Sequence, residues 1–362
     1  MEPTKKILSV IIPAYNSHAF IKNALETLDY KYSDLFDVII IDDLSPIPLE
    51  PEIRDYLAQH NNISIHRHEQ NLNWGGAVET GFKLANSLYV KILDSDDQFD
   101  TETFVKYILV LKNYAEKDID IFITNTSCYL GDEFWFSKKI GKKNNIIKIT
   151  NFDEYHISTL PTMHSFTFRK DFVINCFPLL YNTPYTDNIL IFRAIEASNN
   201  IAIMPSDFYL YKYIWGVHEQ SMSLPVLIKN LEKLQTVILE MCNQKIKQEN
   251  RKRNVILVKL LKEIIYLYHA VIFLNNGQPV LKKLRIKNAF NNKLKKHYKK
   301  NYIVKKLYHR KWFFFLRNFN VYQLDILHKI AFYASAKGFL GLIKKCEKIR
   351  KNDEKIVLNT DK

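Results

Sequence analysis

Short hydrophobic runs alternate with amphipathic segments over the first hundred residues of the chain. Four of these runs have the length and the apolar composition of buried strands. They occupy residues 8–13, 36–41, 63–66 and 88–93. Between them, residues 18–28 and 73–85 carry apolar side chains at helical spacing. Because strands that alternate with helices form βαβ units, the pattern predicts an α/β fold with a Rossmann-like, mainly parallel sheet.

The pattern changes after about residue 225, where apolar residues recur at helical spacing beside lysine-rich faces. It predicts helices at residues 228–247 and 254–274. The second helix is apolar but contains several charged side chains, so we expect it to be buried or interfacial and predict no transmembrane helix. We therefore predict two domains, an α/β domain at residues 1–224 and a basic helical C-terminal domain at residues 225–362.

The charge of the chain is unevenly distributed. The 362 residues include 52 Lys+Arg and 38 Asp+Glu, a net charge of +14. From Lys229 onward there are 32 basic and 9 acidic residues, whereas the part before it has 20 and 29. A basic module favours an anionic surface, and residues 293–300 and 309–317 alternate basic with aromatic side chains, which fits peripheral contact with an anionic membrane.

The absence of nucleic-acid motifs and the spacing of the cysteines bear on the partner and on the cellular location. The basic and aromatic composition would also suit single-stranded nucleic acid, so a non-enzymatic nucleic-acid-binding module is the alternative. No nucleic-acid recognition motif is present, and we expect no nucleic-acid partner. The four cysteines lie far apart and form no metal or disulfide pattern, which indicates a reducing cytoplasm. We predict a cytoplasmic protein on the inner face of the cell membrane.

Three carboxylates, Asp94, Asp96 and Asp97, follow the fourth predicted strand within four residues. Like charges packed this closely repel one another, and a divalent cation such as Mn²⁺ or Mg²⁺ would remove that cost. Magnesium-type ions take one or two protein carboxylates and complete their shell with waters and phosphates. The motif therefore predicts a site for a metal-bound nucleoside diphosphate. The alternative is a polar turn in which Asp97 or Asp100 caps the next helix.

Other polar residues also follow predicted strands or begin a predicted helix. Tyr15 and Asp43 follow the first two strands, and ligands bind at the carboxyl ends of strands in parallel sheets. Gly75 and Gly76 open a helix whose backbone N–H groups could approach a phosphate, or they simply form a turn. Lys91, within the fourth strand, is predicted to be solvated, with a contact to the diphosphate as the alternative.

The order and spacing of these segments resemble family 2 glycosyltransferases of GT-A fold. The resemblance rests on residues 9–16, the Asp42–Asp43 strand end, Asn71 with residues 75–77, and residues 93–97, and it continues more loosely to residue 224. It implies an inverting enzyme of the bacterial surface-polysaccharide type. Such an enzyme moves a sugar from a nucleotide sugar, here a UDP-sugar, to a hydroxyl of a lipid-linked or surface glycan. Transfer to a polyprenyl phosphate is the closest enzymatic alternative.

The resemblance also assigns roles to individual residues. The nucleotide would be bound by Pro13, Ala14, Tyr15, Asp43, Asn71, Gly75, Gly76 and Asp94. The divalent metal would be held by Asp94, Asp96 and His218. Asp43 would accept a hydrogen bond from the base N3–H, which favours uracil, and His218 stands where the family often has an arginine facing the pyrophosphate.

Asp187 would be the catalytic base that deprotonates the acceptor hydroxyl. It follows Thr186, where the family usually has a glutamate, and capping of a helix is its alternative role. On the acceptor side, His164 and one of Trp74, Trp135 and Trp215 are further candidates, with core packing as the alternative.

Overall fold

The described part of the chain is built around an eight-stranded sheet and a smaller four-stranded sheet. The computed structural model describes residues 6–140, 146–154, 159–215, 221–246, 251–275 and 277–309. The strands are β1 (Leu8–Ala14), β2 (Phe36–Asp42), β3 (Ile63–Arg67), β4 (Tyr89–Ile92), β5 (Gln98–Phe99), β6 (Ile121–Ile123), β7 (Asn125–Leu130), β8 (Glu133–Lys138), β9 (Lys148–Thr150), β10 (Phe166–Arg169), β11 (Ile201–Ile203) and β12 (Tyr209–Trp215). The helices are α1 (Ile21–Glu26), α2 (Arg54–Gln59), α3 (Asn73–Leu84), α4 (Thr101–Asn113), α5 (Lys170–Val173), α6 (Asp187–Ala197), α7 (Leu224–Lys229), α8 (Leu231–Asn243), α9 (Arg253–Leu274), α10 (Val280–His297) and α11 (Tyr302–Tyr308).

The large sheet has the strand order β3-β2-β1-β4-β10-β6-β11-β9. The first four strands are parallel, as are β6 and β11. Strand β10 runs antiparallel to both β4 and β6, and β9 runs antiparallel to β11. The predicted α/β fold with a mainly parallel sheet is therefore confirmed, with β10 as the place where the strand direction reverses.

Strand β1 forms the centre of the parallel part, and all seven of its residues are buried. Such a continuous apolar run fits a strand that is covered on both faces. Helix α3 packs closely on β1 because Gly81 has no side chain: a Cβ atom there would lie 2.3 Å from Cγ2 of Ile11. This close approach fixes the position of α3, whose first residues reach the carboxyl ends of the strands.

The smaller sheet has the order β5-β12-β7-β8. Strand β12 pairs antiparallel with β5, which directly follows the Asp94–Asp97 segment, and β7 pairs antiparallel with β8. Tyr211 and Tyr213 lie on β12. The second sheet therefore brings residues from more than 110 positions downstream to the acidic segment.

The described chain divides into two compact units. One comprises residues up to 214 together with 251–256, and the other comprises residues 215–246 with 257–309. The boundary predicted between residues 224 and 225 stays a prediction. Helix α9 agrees with the segment predicted at residues 254–274, whereas the segment predicted at 228–247 is two helices, α7 and α8, that meet at Asn230.

Helix α9 is apolar over much of its length, but neither it nor another helix in the described ranges is long and apolar enough to cross a membrane.

Arg253, the first residue of α9, is only 2% exposed and is held by two sets of contacts within the first unit. Its guanidinium binds Asp153, with Nε and Nη2 each 2.9 Å from Oδ2. Nη1 donates to the carbonyl oxygens of Ile195, Glu196 and Ser198 at 2.5–3.2 Å. These carbonyls belong to the C-terminal end of α6, where a cation is favoured by the helix dipole. Arg253 therefore anchors the helix that begins with Asp187.

Replacing Arg253 should destabilise the protein much more than replacing its neighbour Arg251. Arg253→Met leaves three buried carbonyl groups and part of Asp153 without a donor, and we expect about 3 kcal/mol less free energy of unfolding. Arg251→Met removes one partly exposed contact to Asp153, for which we expect about 1 kcal/mol or less. Urea unfolding of both variants measures the difference, and equal losses would contradict the anchoring role of Arg253.

Candidate active site

The carboxyl ends of β2, β1 and β4 lie side by side at one edge of the sheet because these strands are parallel. The register pairs Ala14 with Asp42, so the next residues, Tyr15 and Asp43, leave the sheet together. The Asp43 N–H donates to the Ala14 carbonyl at 2.8 Å. Pro13 and Ala14 are buried, whereas the Tyr15 side chain is 55% exposed. The predicted juxtaposition of these residues with Asp43 is present.

Asp43 is nearly buried and is held by the loop that follows β3. Its Oδ1 accepts from the Leu72 N–H at 2.8 Å and lies 2.8 Å from Nδ1 of His68. The Asn71 side chain donates to the Asp43 carbonyl at 2.9 Å, so these two predicted nucleotide residues are neighbours. Burial raises the pKa of Asp43 above its usual value, although the hydrogen bonds from Leu72 and His68 oppose that rise.

Asp42, the preceding carboxylate, holds the polypeptide instead of facing the site. It accepts from the N–H groups of Ser45 and Leu49 and forms an ion pair with Arg67. Burial alone would raise the pKa of Asp42, but these hydrogen bonds bring it below its usual value. The two adjacent carboxylates therefore have different roles. Asp42 orders the loop after β2, and Asp43 lies at the strand end, at the candidate site.

Asp94 is contacted from three separate elements. Trp74 of α3 donates from Nε1 to Oδ1 at 3.0 Å, and Nε2 of His164 lies 2.8 Å from Oδ2. The Asp94 N–H donates to the Tyr211 hydroxyl at 3.2 Å. Burial opposes ionisation, but the adjacent His164 and the hydrogen bond from Trp74 hold the pKa of Asp94 below its usual value. Asp94 therefore stays an anion at the end of β4.

His164 was a candidate for the acceptor side, and the structure places it against Asp94. Its other ring nitrogen, Nδ1, is hydrogen bonded to the Tyr213 hydroxyl, which donates to Oγ1 of Thr162 at 2.7 Å. The turn that carries it is fixed by Lys91, whose Nζ donates to the carbonyls of His164 and Phe166 at 2.8 and 3.2 Å.

The prediction that Lys91 is solvated is wrong. The side chain is completely buried, and burial lowers its pKa to about 7. It can be buried because its ammonium donors reach two carbonyls of the neighbouring chain segment, and because β4 is covered on both faces. Lys91 therefore holds the backbone of the turn that carries His164.

Asp97 is also buried beside Asp94. Its carboxylate accepts from the Tyr211 hydroxyl at 2.7 Å and from the Ile214 N–H at 2.8 Å. Burial, followed by the charges of Asp96 and Asp94, raises the pKa of Asp97 well above its usual value. A cation bound here would lower that pKa, so the charge of the segment fits the predicted metal.

Donor atoms of Asp94, Asp97 and His164 lie within 4.8 Å of one another, a group that could hold a divalent ion. Asp96 is half buried next to them but does not belong to this group. His218 lies outside the described residues, and the metal roles of Asp96 and His218 stay predictions. No feature of the sequence indicated that His164 contacts Asp94, because the two residues are far apart in the chain. Only the pairing of β10 with β4 brings the turn of His164 to Asp94.

Asp187 begins helix α6 and is partly buried. Burial raises its pKa to about 6, the charge of His164 and hydrogen bonds from Asn188 oppose this, and the charge of Asp94 adds to it. Helix α6 contacts the turn at Met163–Ser165, and Asp187 interacts electrostatically with both Asp94 and His164. A carboxylate with a pKa near 6 is suited to accept a proton at neutral pH.

The two adjacent glycines have a packing role. A Cβ on Gly75 would lie 2.7 Å from Oγ1 of Thr186, and one on Gly76 would lie 2.3 Å from Cβ of Leu72. Gly75 thus allows the start of α3 to approach the residue that precedes Asp187. The predicted contact of their N–H groups with a phosphate stays a prediction.

Backbone strain is concentrated near the same residues. Five non-glycine residues in the described ranges have positive φ. Four of them lie within two residues of a predicted site residue: Asn16, Leu44, Asn73 and Tyr185, with φ of 54°, 61°, 61° and 67°. Such conformations are costly for leucine and tyrosine and tend to occur at functional sites. The strain therefore supports the position of the site independently of its chemistry.

Comparison with known proteins finds similarity to one family over this part of the chain. Residues 9–177 match the family model of glycosyl transferase family 2. Uncharacterized glycosyltransferase MG025 of Mycoplasma genitalium is 33% identical over 151 residues, which is 40% of this chain and 48% of that protein. Uncharacterized glycosyltransferase MG060 of the same organism is 29% identical over 271 residues, 70% of this chain and 83% of that protein. The chain thus spans about half of the first relative and most of the second.

Among solved structures, S. aureus TarS 1–349 in complex with UDP-GlcNAc is similar over 80% of both chains. The TM-score is 0.57 and the sequence identity is 17%. A similarity at this identity concerns the fold, and it confirms the predicted GT-A type.

The contact between Gly75 and Thr186 can be tested by a double-mutant cycle. Alanine favours a helix by about 1 kcal/mol over glycine, but Gly75→Ala would press on Thr186, and overpacking of this kind costs about 1–3 kcal/mol. Thr186→Ala removes the clashing oxygen, which has no hydrogen-bond partner in the described residues. We expect Gly75→Ala to destabilise the wild type and to cost little beside Thr186→Ala. Additive effects in urea unfolding would contradict the close contact.

Proposed function

Because residues 9–177 match the model of glycosyl transferase family 2, we propose that this chain transfers a sugar, with inversion, from a UDP-sugar to an acceptor hydroxyl. One observation carries the proposal: helix α6, which begins with Asp187, contacts the turn of His164, and burial raises the pKa of Asp187 to about 6. Inverting transfer needs a base at the attacking hydroxyl and a positive charge near the leaving diphosphate on the opposite face of the sugar. Asp187 would be the base, and a cation held at Asp94 would supply the charge.

The donor would bind along the strand ends. The exposed Tyr15 ring offers a surface for the base, and Asp43 offers an oxygen acceptor to an N–H group such as N3–H of uracil. The TarS complex with UDP-GlcNAc, whose fold is similar, is compatible with a UDP-sugar. Asn71 supports Asp43 through its backbone carbonyl.

The residues fit a divalent cation. Asp94, with Asp97 and His164, would hold Mn²⁺ or Mg²⁺, because a donor set of carboxylates and an imidazole suits these ions. The pKa of Asp97 is raised first by burial and then by the charges of Asp96 and Asp94, and a cation would offset both effects. When bound, the cation would supply positive charge to the departing diphosphate. Trp74 and Tyr211 orient the acidic segment through their hydrogen bonds to Asp94.

Asp187 would act on the acceptor. Its carboxylate accepts the hydroxyl proton as the oxygen attacks the anomeric carbon, and the bond to the diphosphate breaks on the opposite face. Asn188 donates to Oδ1 of Asp187 at 3.0 Å and so fixes the carboxylate. Arg253 holds the other end of α6, which keeps this base in place.

We also propose that the acceptor is a lipid-linked or surface glycan and that the protein contacts the inner leaflet of the membrane. The support is a group of exposed lysines at the end of α10 and just after it. They are Lys293, Lys295, Lys296, Lys299 and Lys300. Phe290 and Leu294 of the same helix are buried, so the lysines form a solvated face that is free to meet anionic headgroups.

The role of Asp187 can be separated from binding by Asp187→Asn, which keeps the size of the side chain. Loss of a general base should lower kcat by about 10²–10⁴-fold, while the Kd for UDP changes little. In the wild type, kcat/KM should fall as the pH decreases below about 6 because Asp187 becomes protonated. That limb should be absent from the residual activity of the variant. Asp171→Asn, an exposed position on α5, is the control.

Stability gives a second readout for the same residue. The folded state raises the pKa of Asp187, so it binds the proton more tightly than the unfolded chain and loses stability as the pH rises from about 4 to 6. Asp187→Asn should therefore be at least as stable as the wild type at pH 7.5. A clear loss of stability together with near-normal turnover would identify Asp187 as a helix cap only.

The membrane contact is tested by reversing charge on the exposed lysines. Changing Lys295, Lys296, Lys299 and Lys300 to glutamate should abolish pelleting with anionic vesicles, since each surface lysine contributes about 1 kcal/mol of attraction at low salt. Reversal at the exposed Lys31, Lys106, Lys112 and Lys117 is the matched control in net charge and should retain pelleting. A wild type that ignores anionic vesicles but binds RNA tightly would favour the nucleic-acid alternative.

A further inference from the structure

His68 contacts two other elements beside Asp43, at the site proposed for the nucleobase. It follows β3, and its side chain is 11% exposed. Nδ1 lies 2.8 Å from Oδ1 of Asp43, at the end of β2, and Nε2 lies 2.9 Å from Oγ1 of Thr80 on α3. Both ring nitrogens are therefore engaged, and the ring cannot rotate without losing a contact to one side.

The two contacts determine where the protons lie. An ionised carboxylate only accepts hydrogen bonds, so Nδ1 of His68 must carry a proton when Asp43 is an anion. A neutral imidazole then accepts at Nε2, and the Thr80 hydroxyl can donate to it. Oδ1 of Asp43 also receives the Leu72 N–H. These donors oppose the effect of burial, which favours the protonated form of Asp43.

Loss of the contact between His68 and Asp43 would change the hydrogen bonding that Asp43 offers to the nucleobase. If Nδ1 only presented its lone pair, the carboxyl proton would be donated from Oδ1 to Nδ1, and Oδ2 would still accept. If the ring were absent or turned away, burial would favour the neutral carboxyl form, and its proton on Oδ2 would present a donor to the base. Uracil offers N3–H as a donor, whereas cytosine offers N3 as an acceptor, so the protonation of Asp43 decides between these bases.

We propose that His68, oriented by Thr80, is the positioning residue that keeps Asp43 a hydrogen-bond acceptor and thereby sets a preference for a uracil over a cytosine nucleotide. The inference rests on the proposed function, because it concerns the donor site of that reaction. His68 does not touch the reacting atoms. It acts through Asp43, and the discrimination between UDP and CDP is the quantity that a merely structural role would not change.

The experiment measures the Kd of UDP and CDP by calorimetry, with Mn²⁺ present, for the wild type and four variants of the full chain. His68→Leu removes both contacts and should bring the UDP preference close to one, with UDP affinity reduced about tenfold or more. His68→Asn keeps a donor near the Nδ1 position and should retain most of the preference. Thr80→Val frees the ring and should give an intermediate ratio. His66→Leu, at an exposed position on β3, is the matched control and should leave the ratio unchanged.

The outcomes separate the inference from the function on which it rests. A UDP preference that survives both His68→Leu and Thr80→Val would overturn the role of His68 while leaving the enzyme intact. If His68→Leu does not fold, His68→Asn and Thr80→Val still test the inference. The Asn variant keeps a donor to Asp43, so it should lose less of the UDP preference than Thr80→Val does. An equal or greater loss in the Asn variant would contradict the proposed donor contact. A wild type that binds UDP and CDP equally overturns the inference, and one that binds no nucleoside diphosphate overturns the proposed function itself.

Discussion

The need to keep carboxylates hydrogen bonded at one edge of a parallel sheet shapes the rest of this structure. Each acidic residue is buried or partly buried and recruits donors from a different part of the chain. Asp43 is held by the loop after β3, Asp94 by α3 and the turn at Met163–Ser165, and Asp97 by β12. A buried anion without donors would be neutralised or would destabilise the fold. The second sheet and the reversal at β10 therefore complete the site as well as the core.

Residues farther from the acidic side chains hold the elements that carry the site. Lys91 fixes the backbone of the His164 turn, and Arg253 fixes the C-terminal end of α6, which begins with Asp187. Gly75 allows α3 to approach that same helix. The strained backbone at Leu44 and Tyr185 indicates that the fold tolerates local cost to hold these positions. The preorganisation of the site thus depends on contacts that lie well outside the predicted binding residues.

Local pattern was sufficient to predict the parallel half of the sheet and the edge at which its polar residues meet. The runs at residues 8–13 and 36–41 coincide with β1 and β2, because a buried parallel strand leaves a continuous apolar signal. Asp43 and Asp94 could be placed at that edge for the same reason. The comparison with known structures confirms the GT-A fold that the resemblance to family 2 glycosyltransferases implied.

Contacts between distant segments were beyond the reach of the sequence. His164 and Tyr211 reach Asp94 through antiparallel pairing and a second sheet, neither of which has a local signature. Lys91 was predicted to be solvated because lysine in a strand usually is, and only tertiary contacts supply the carbonyls that allow its burial. Similarly, the role proposed for His68 rests on its hydrogen bond to Asp43, which lies 25 positions earlier in the chain.

We propose that the strand ends of this chain form one metal-dependent UDP-sugar site. Crystals of the full chain with Mn²⁺ and UDP, measured at the manganese absorption edge, test this proposal most directly. We expect one strong anomalous peak within coordination distance of Asp94, with the diphosphate beside it and the uracil between Tyr15 and Asp43. An ordered UDP bound elsewhere, or manganese remote from Asp94, would contradict the proposal.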